Sequence, residues 1–151
     1  LELTFRTSKM EYKLSDPFDS TKPSGYSTEY NVTLSKKLIE TLRFNLNSSL
    51  SLSRNDYVNN LNTGNNSDKD TTKALLNVGF DKTDNAFGGG VNFGSISFSL
   101  GDVDLTDNQT NFETDQTTTD TNGRNLKSNL ILNRLQNLNQ KTNLLIKYSV
   151  K

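Results

Sequence analysis

The chain has no cysteine, no histidine and no tryptophan among its 151 residues. Without cysteine it can form neither a disulfide nor a thiolate metal site. Without histidine it lacks the usual general base and the commonest metal ligand. These absences exclude most known arrangements of catalytic residues. We therefore expect a protein that is not an enzyme and that holds neither a metal nor a cofactor.

Apolar residues are also scarce, at 31% of the chain, and the mean hydropathy is -0.69. A soluble globule with this composition would have unusually little to bury. Intrinsic disorder is one explanation, but the zero net charge and the strict patterning of the apolar residues count against it. The 17 basic residues are scattered and balance 17 acidic ones, so nucleic acid is not an expected partner.

No apolar run is long enough to form a transmembrane helix or a signal peptide. The chain begins at Leu1, and its single methionine is Met10. We therefore expect residues 1–151 to be one partial domain, cut from a larger protein.

Apolar and polar residues alternate most clearly over residues 26–35 and 41–53, which predicts two strands with one apolar and one polar face. In the second stretch, a helical period would place Leu46 and Leu50 beside Arg43 and Asn47. A helix would therefore have mixed faces, whereas a strand has clean ones. The apolar residues of this second strand are Leu42, Phe44, Leu46, Leu50 and Leu52.

Shorter alternations predict further strands over residues 1–15, 71–81, 95–105, 125–133 and 143–150. In two of them the apolar residues change parity, which predicts a β-bulge or a tight turn near Ser8 and a β-bulge after Gly101. Gly88, Gly89 and Gly90 suggest a tight turn rather than a phosphate-binding loop, because no Lys-Ser/Thr pair follows them.

Short and long connections alternate along the chain. Residues 36–40, 82–90 and 135–141 are short links, whereas 16–25, 55–70 and 106–122 are long polar loops. In an up-and-down meander all the long loops then lie at one end of the strands, as in transmembrane β-barrels. The predicted fold is all-β, an antiparallel up-and-down meander that forms a segment of a transmembrane β-barrel. A soluble sandwich or a β-solenoid is the alternative, although no fixed repeat period is present.

One stretch combines several short motifs, from Phe87 to Leu138. A glycine-rich turn precedes a strand ending in residues 100–105, Leu-Gly-Asp-Val-Asp-Leu. A polar loop carrying Asp115 is followed by a Gly-x-x-x-Lys strand and an Arg-x-Gln-x-Leu segment. The positions of these motifs are Gly88, Gly89, Gly90, Gly101, Asp104, Gly123, Lys127, Arg134 and Gln136. In order and spacing the stretch resembles the outer-membrane transporters of two-partner secretion, the haemolysin activation and secretion family.

The resemblance implies a protein of the Gram-negative type of outer membrane. Its partners would be membrane lipid and a secreted exoprotein, a haemolysin or an adhesin, that crosses the barrel unfolded and without nucleotide hydrolysis. Polar strand residues would either guide this cargo or only solvate the lumen; they are Arg43, Asn45, Lys73, Asn77, Lys127 and Asn129. An extracellular adhesin or binding module and a passive porin-like channel are the alternative functions.

Residues 102–113 also contain carboxylates spaced like those of an EF-hand calcium loop. The sixth position of that loop requires glycine for its sharp turn, but the chain has Asp107 there. No flanking helices are predicted. A solvated acidic loop is therefore the favoured interpretation of this segment.

Overall fold

The computed structural model describes residues 1–14, 23–60, 67–105, 109–118, 121–139 and 141–151. Seven strands form one antiparallel sheet in the order in which they occur in the chain. The strands are β1 (Glu2–Lys13), β2 (Ser24–Glu40), β3 (Phe44–Asn60), β4 (Ser67–Asp84), β5 (Gly90–Asp104), β6 (Gly123–Asn139) and β7 (Thr142–Val150). The all-β antiparallel meander predicted from the sequence is thus confirmed.

The strands extend well beyond the alternating stretches. The predicted link at residues 36–40 belongs to β2, where the register shifts between Lys37 and Ile39. Most of the predicted link at residues 135–141 belongs to β6, and much of the loop predicted over residues 55–70 belongs to β3 and β4. These predictions were wrong because strands continue through stretches of Asn, Ser and Thr. Such stretches lack the alternation of apolar and polar residues from which strands were predicted. Arg43 precedes β3, so it lies in a turn and not on a strand face.

The two predicted β-bulges are absent from the described strands. β1 pairs with β2 without interruption from Glu2 to Lys13, and β4 pairs with β5 without interruption through Gly101 to Asp104. Consequently Met10 and Tyr12 simply lie on the polar face. The ring of Tyr12 covers Gly25, directly across the strand pair, and its hydroxyl donates a 2.9 Å hydrogen bond to Asn59 Oδ1.

The connections alternate in length, but the predicted long loop over residues 55–70 shrinks to residues 61–66, one residue longer than the connection 85–89. Residues 41–43, 85–89 and 140–141 join strands at one end of the sheet, which we call the turn end. The other three connections lie at the opposite end, which we call the loop end. The last of these contains the helix α1 (Gln109–Thr118), which the sequence did not predict. A single turn of 3-10 helix, Ala86–Gly88, joins β4 to β5.

The register places the alternating residues in rows across the sheet. One row joins Leu3, Leu34, Leu50, Leu76 and Phe98 on what we call the apolar face. On the opposite face, the polar face, a neighbouring row joins Glu2, Ser35, Ser49, Asn77, Ser97 and Asn129. Most apolar side chains thus share one face and most polar side chains the other, although Leu75 and Ile131 lie on the polar face and Ser128 lies on the apolar face.

The sheet is a single layer. Among the described residues, Leu105 is the only hydrophobic residue that is buried. Large apolar side chains remain exposed across the apolar face, including Leu50 at 43% and Phe98 at 44%. Of the described helices, none combines the length and the apolar character needed to cross a membrane. The sheet thus presents an apolar surface that no other described element covers.

Candidate functional site

The motif positions group at the two ends of the β5–β6 hairpin and on the polar face between them. Gly88, Gly89 and Gly90 meet Arg134 and Gln136 at the turn end, although more than forty residues separate them in the chain. Asp84 and Asn92 complete this group, although no sequence motif pointed to them. We refer to Asp84, residues 86–89, Asn92, Arg134 and Gln136 together as the turn cluster.

Arg134 holds the turn cluster together. Its Nη1 and Nη2 donate to the two carboxylate oxygens of Asp84 at 2.8 and 3.0 Å, a bidentate pair. Nη1 also donates to Asn92 Oδ1 at 2.8 Å, and Asn92 Nδ2 in turn donates to Asp84 Oδ2 at 2.7 Å. Asp84 is the last residue of β4, at the turn end of the sheet. Hydrogen bonds from Arg134 and then from Asn92 lower its pKa well below the usual range.

Gln136 ties the turn to β6. It is 6% exposed, and its Nε2 lies 2.8 Å from the carbonyl oxygen of Phe87 and 2.9 Å from that of Gly89. Its Oε1 accepts hydrogen bonds from Arg134 Nε and Nη2. The polar atoms of these side chains are thus occupied within the cluster. This arrangement fixes the shape of the turn.

Two positions of the turn require glycine, for different reasons. Gly89 has φ +95° and ψ 149°, a conformation that is almost restricted to glycine. Gly90 has an ordinary φ, but a Cβ there would lie 2.8 Å from the carbonyl oxygen of Leu135 and 3.1 Å from Arg134 Nη2. The predicted tight turn is therefore confirmed, and Arg134 packs where only glycine leaves room.

Asp115 organises the loop end of the same hairpin. It is 7% exposed and accepts hydrogen bonds from the backbone N–H groups of Thr121 and Asn122, at 2.7 and 2.9 Å. Asn122 Oδ1 accepts a hydrogen bond from the backbone N–H of Leu105 at 3.0 Å. Asp115 therefore fastens the end of α1 to the start of β6.

The remaining motif positions lie on or next to these strands. Gly101 faces Asn125 across the polar face, where a Cβ would lie 2.9 Å from Asn125 Oδ1. Gly123 begins β6 opposite Val103, and Asp104 ends β5 opposite Asp70. Lys127 pairs with Ser99 on the polar face.

Four of the predicted lumen residues share the polar face with Lys127, namely Asn45, Lys73, Asn77 and Asn129. Asn77 and Asn129 both pair with Ser97, so they belong to one row. Asn45 Nδ2 donates to Asp81 Oδ2 at 2.9 Å. Within the described residues, the Oδ1 atom of Asn129 is buried and has no hydrogen-bond partner.

Acidic residues gather at the loop end without forming a metal site. Among the residues that the structure describes, no three potential ligands are placed to hold a metal ion. Arg54 instead pairs with Asp56 and Asp70 at 3.0 and 2.8 Å. Thr106 and Asp107, which belong to the calcium-like spacing, lie outside the described residues.

Comparisons of the chain with models of protein families, with curated proteins and with solved structures gave no match.

Proposed function

We propose that this chain is part of the wall of an outer-membrane β-barrel that secretes a partner exoprotein. The observation that carries the proposal is the exposed apolar face of a single-layer sheet. Exposed apolar patches of more than a few hundred Å² are unusual on soluble proteins. Lipid removes the cost of exposing such a face, and closure into a barrel with further strands would satisfy the backbone groups at the edges.

The margins of the apolar face support a membrane location. Tyr26 and Tyr30 are exposed toward its loop end, where the aromatic girdle of a barrel is expected. Ion pairs lie toward both ends of the apolar face, between Arg54 and Asp70 and between Arg134 and Asp84. Arg54 is level with Tyr30, and Arg134 is level with Ile146. Charged residues close to lipid are usually paired with one another in this way.

The polar face and the connections support the same arrangement. The middle of the polar face consists largely of Ser, Thr, Asn and Lys, which suit a hydrated lumen. The long connections share the loop end, as the external loops of a barrel do, and the short ones share the turn end.

Secretion, rather than passive diffusion, is supported by the resemblance of residues 87–138 to two-partner secretion transporters. Two motifs of that stretch, the glycine-rich turn and the segment with Arg134 and Gln136, meet in the turn cluster as contacts between the β4–β5 turn and β6. The cargo would be an unfolded exoprotein, and the polar face would provide a hydrated surface along its path.

The orientation of the two faces can be tested because the chain lacks cysteine. Single cysteines replace Leu50 and its neighbour Ser49 in the intact protein, and outer-membrane vesicles are treated with a water-soluble maleimide. We expect Ser49→Cys to react and Leu50→Cys to react only after unfolding. Equal labelling of both positions would support the extracellular module and end the barrel proposal.

Secretion is tested by deleting the gene and examining the culture medium by mass spectrometry. We expect a partner exoprotein to disappear from the medium, to remain in the periplasm and to return on complementation. An unchanged medium together with slower uptake of small solutes would instead indicate a passive porin-like channel.

A further inference from the structure

A groove of about 500 Å³ lies over β4, β5 and β6, and its lining combines polar-face residues with Leu126 and Ser128 of the apolar face. Lys73, Lys127 and Lys151 line it, together with Ser97, Ser99 and Asn129. Lys127 pairs with Ser99, and Lys73 pairs with Gly101, two residues further along β5. The two lysines therefore lie on opposite sides of β5, close to the same height of the sheet.

The charges of this groove have one sign. Among its described lining residues there are three lysines and no carboxylate. The groove at the loop end of the apolar face differs, since Arg54 there lies beside Asp70, Asp102 and Asp104. No described ion pair involves Lys73 or Lys127, whereas Arg54 and Arg134 on the apolar face are both paired.

We propose that Lys73 and Lys127, with Lys151 beside them, form an anion-attracting site on the polar face that favours the passage of anions along it. This inference rests on the proposed function, because it takes the polar face to line a conducting lumen. Unpaired ammonium groups attract anions, and lysine or arginine side chains serve this purpose in anion-selective pores. The serine hydroxyls of Ser97 and Ser99 add neutral hydrogen-bond donors at the same site.

The attraction of anions depends on which face carries the lysines. Lysines on the polar face place their charge in the lumen, whereas lysines on the apolar face would project toward lipid and its interfaces. Lys36 and Lys82 provide a matched pair, because the register places both on the apolar face. Neither takes part in a described ion pair, as is true of Lys73 and Lys127.

The experiment measures ion selectivity of the intact protein in planar lipid bilayers. The reversal potential under a KCl gradient is compared for the wild type, Lys73→Gln/Lys127→Gln and Lys36→Gln/Lys82→Gln. We expect the ratio of chloride to potassium permeability to fall by roughly twofold or more in the first variant only. Both variants lose the same charge, so a general effect of net charge would appear in both.

Each outcome has one meaning. A conducting wild type whose permeability ratio changes in neither variant, or equally in both, overturns the anion site and leaves the barrel proposal intact. A wild type without any conductance overturns both proposals.

A measurement on the wild type alone guards against misfolded variants. Raising KCl from about 0.1 M to about 1 M shortens the Debye length from about 10 Å to about 3 Å. We therefore expect the preference for chloride to weaken as the mean KCl concentration rises. A preference that is independent of salt would contradict an origin in fixed lysine charges.

Discussion

The two faces of this sheet are built from the same strands, yet they differ in almost every physical property. Leu50 on the apolar face lies between Leu34 and Leu76, whereas the adjacent Ser49 lies between Ser35 and Asn77 on the polar face. A step of one residue thus changes the environment completely. Because no second layer formed by the described residues covers either face, each face must suit a different medium.

The faces also differ in how they treat charge. On the apolar face, the ion pairs of Arg54 and Arg134 lie toward the two ends of the strands. On the polar face, Lys73 and Lys127 lie nearer the middle and take part in no described ion pair. The two arginines are therefore neutralised by carboxylates, whereas the two lysines carry charge without a described acidic partner. Four changes test this contrast, beginning with the largest expected effect.

Leu50→Lys and Ser49→Lys place the same charge one residue apart. If the apolar face meets lipid, we expect Leu50→Lys to lower the free energy of unfolding by about 2–4 kcal/mol, since it puts an ammonium in the hydrocarbon. Ser49→Lys should change it by less than about 0.5 kcal/mol, as surface substitutions usually do. Equilibrium unfolding of the intact protein in lipid vesicles measures both. Similar losses at the two positions would contradict the separation of the faces.

Gln136→Leu tests the margin at which the apolar face ends. The change makes the face more apolar but removes the donor that serves the carbonyl oxygens of Phe87 and Gly89. We expect a loss of about 2–3 kcal/mol, because buried acceptors remain unsatisfied. Asn143→Leu, an exposed amide of β7, is the control and should have little effect. If Gln136→Leu left the free energy of unfolding unchanged, the added apolar surface would offset the hydrogen bonds lost from the turn cluster.

Gly89→Ala tests the turn itself. Its φ of +95° with ψ 149° is strained for alanine, so we expect a loss of about 2 kcal/mol. Gly79 is the control, because a Cβ there meets only the carbonyl oxygen of Gly94, at 3.7 Å. Gly79→Ala should be neutral or stabilise the strand by about 0.5–1 kcal/mol. Urea unfolding that ranked the two variants in the opposite order would rule out backbone strain as the cause.

Lys36→Leu should have the smallest effect, and of opposite sign. Lys36 is a charged residue on the apolar face. It lies beside Ser48, which in turn pairs with Val78. If that face meets lipid, removing the charge should raise the free energy of unfolding by about 1 kcal/mol or less, because a long lysine side chain partly reaches the interface. The same unfolding assay detects the gain, and a loss would mean that Lys36 contacts water or a polar partner.

Parity was predictable in the middle strands β3 and β4, and most of the polar face followed from it. Asn45, Lys73, Asn77 and Asn129 lie where alternation predicted. Strand ends were less predictable, because Ser, Thr and Asn occur equally in strands and loops. Arg43 therefore fell into a turn, and the helix α1 was missed in a polar segment with a single aromatic residue, Phe112.

The predicted bulges failed for a related reason. A change of apolar parity indicates a bulge only if every apolar side chain must share one face. Tyr12 instead belongs to the polar face, where its ring covers Gly25 and its hydroxyl reaches Asn59. Leu105 is buried beside Asn122 at the loop end, where it needs no place on the apolar face.

The sequence by itself determined the type of sheet, its two faces and the alternation of turn end and loop end. These properties depend on a period of two residues and on connection lengths, both of which are local. Only the tertiary structure decided that Arg134 meets Asp84, that Gln136 holds the turn around Gly89, and that Lys73 and Lys127 share a groove. Those contacts depend on the register of three neighbouring strands. A shift of the register by one residue moves a side chain by about 3.3 Å and places it on the opposite face.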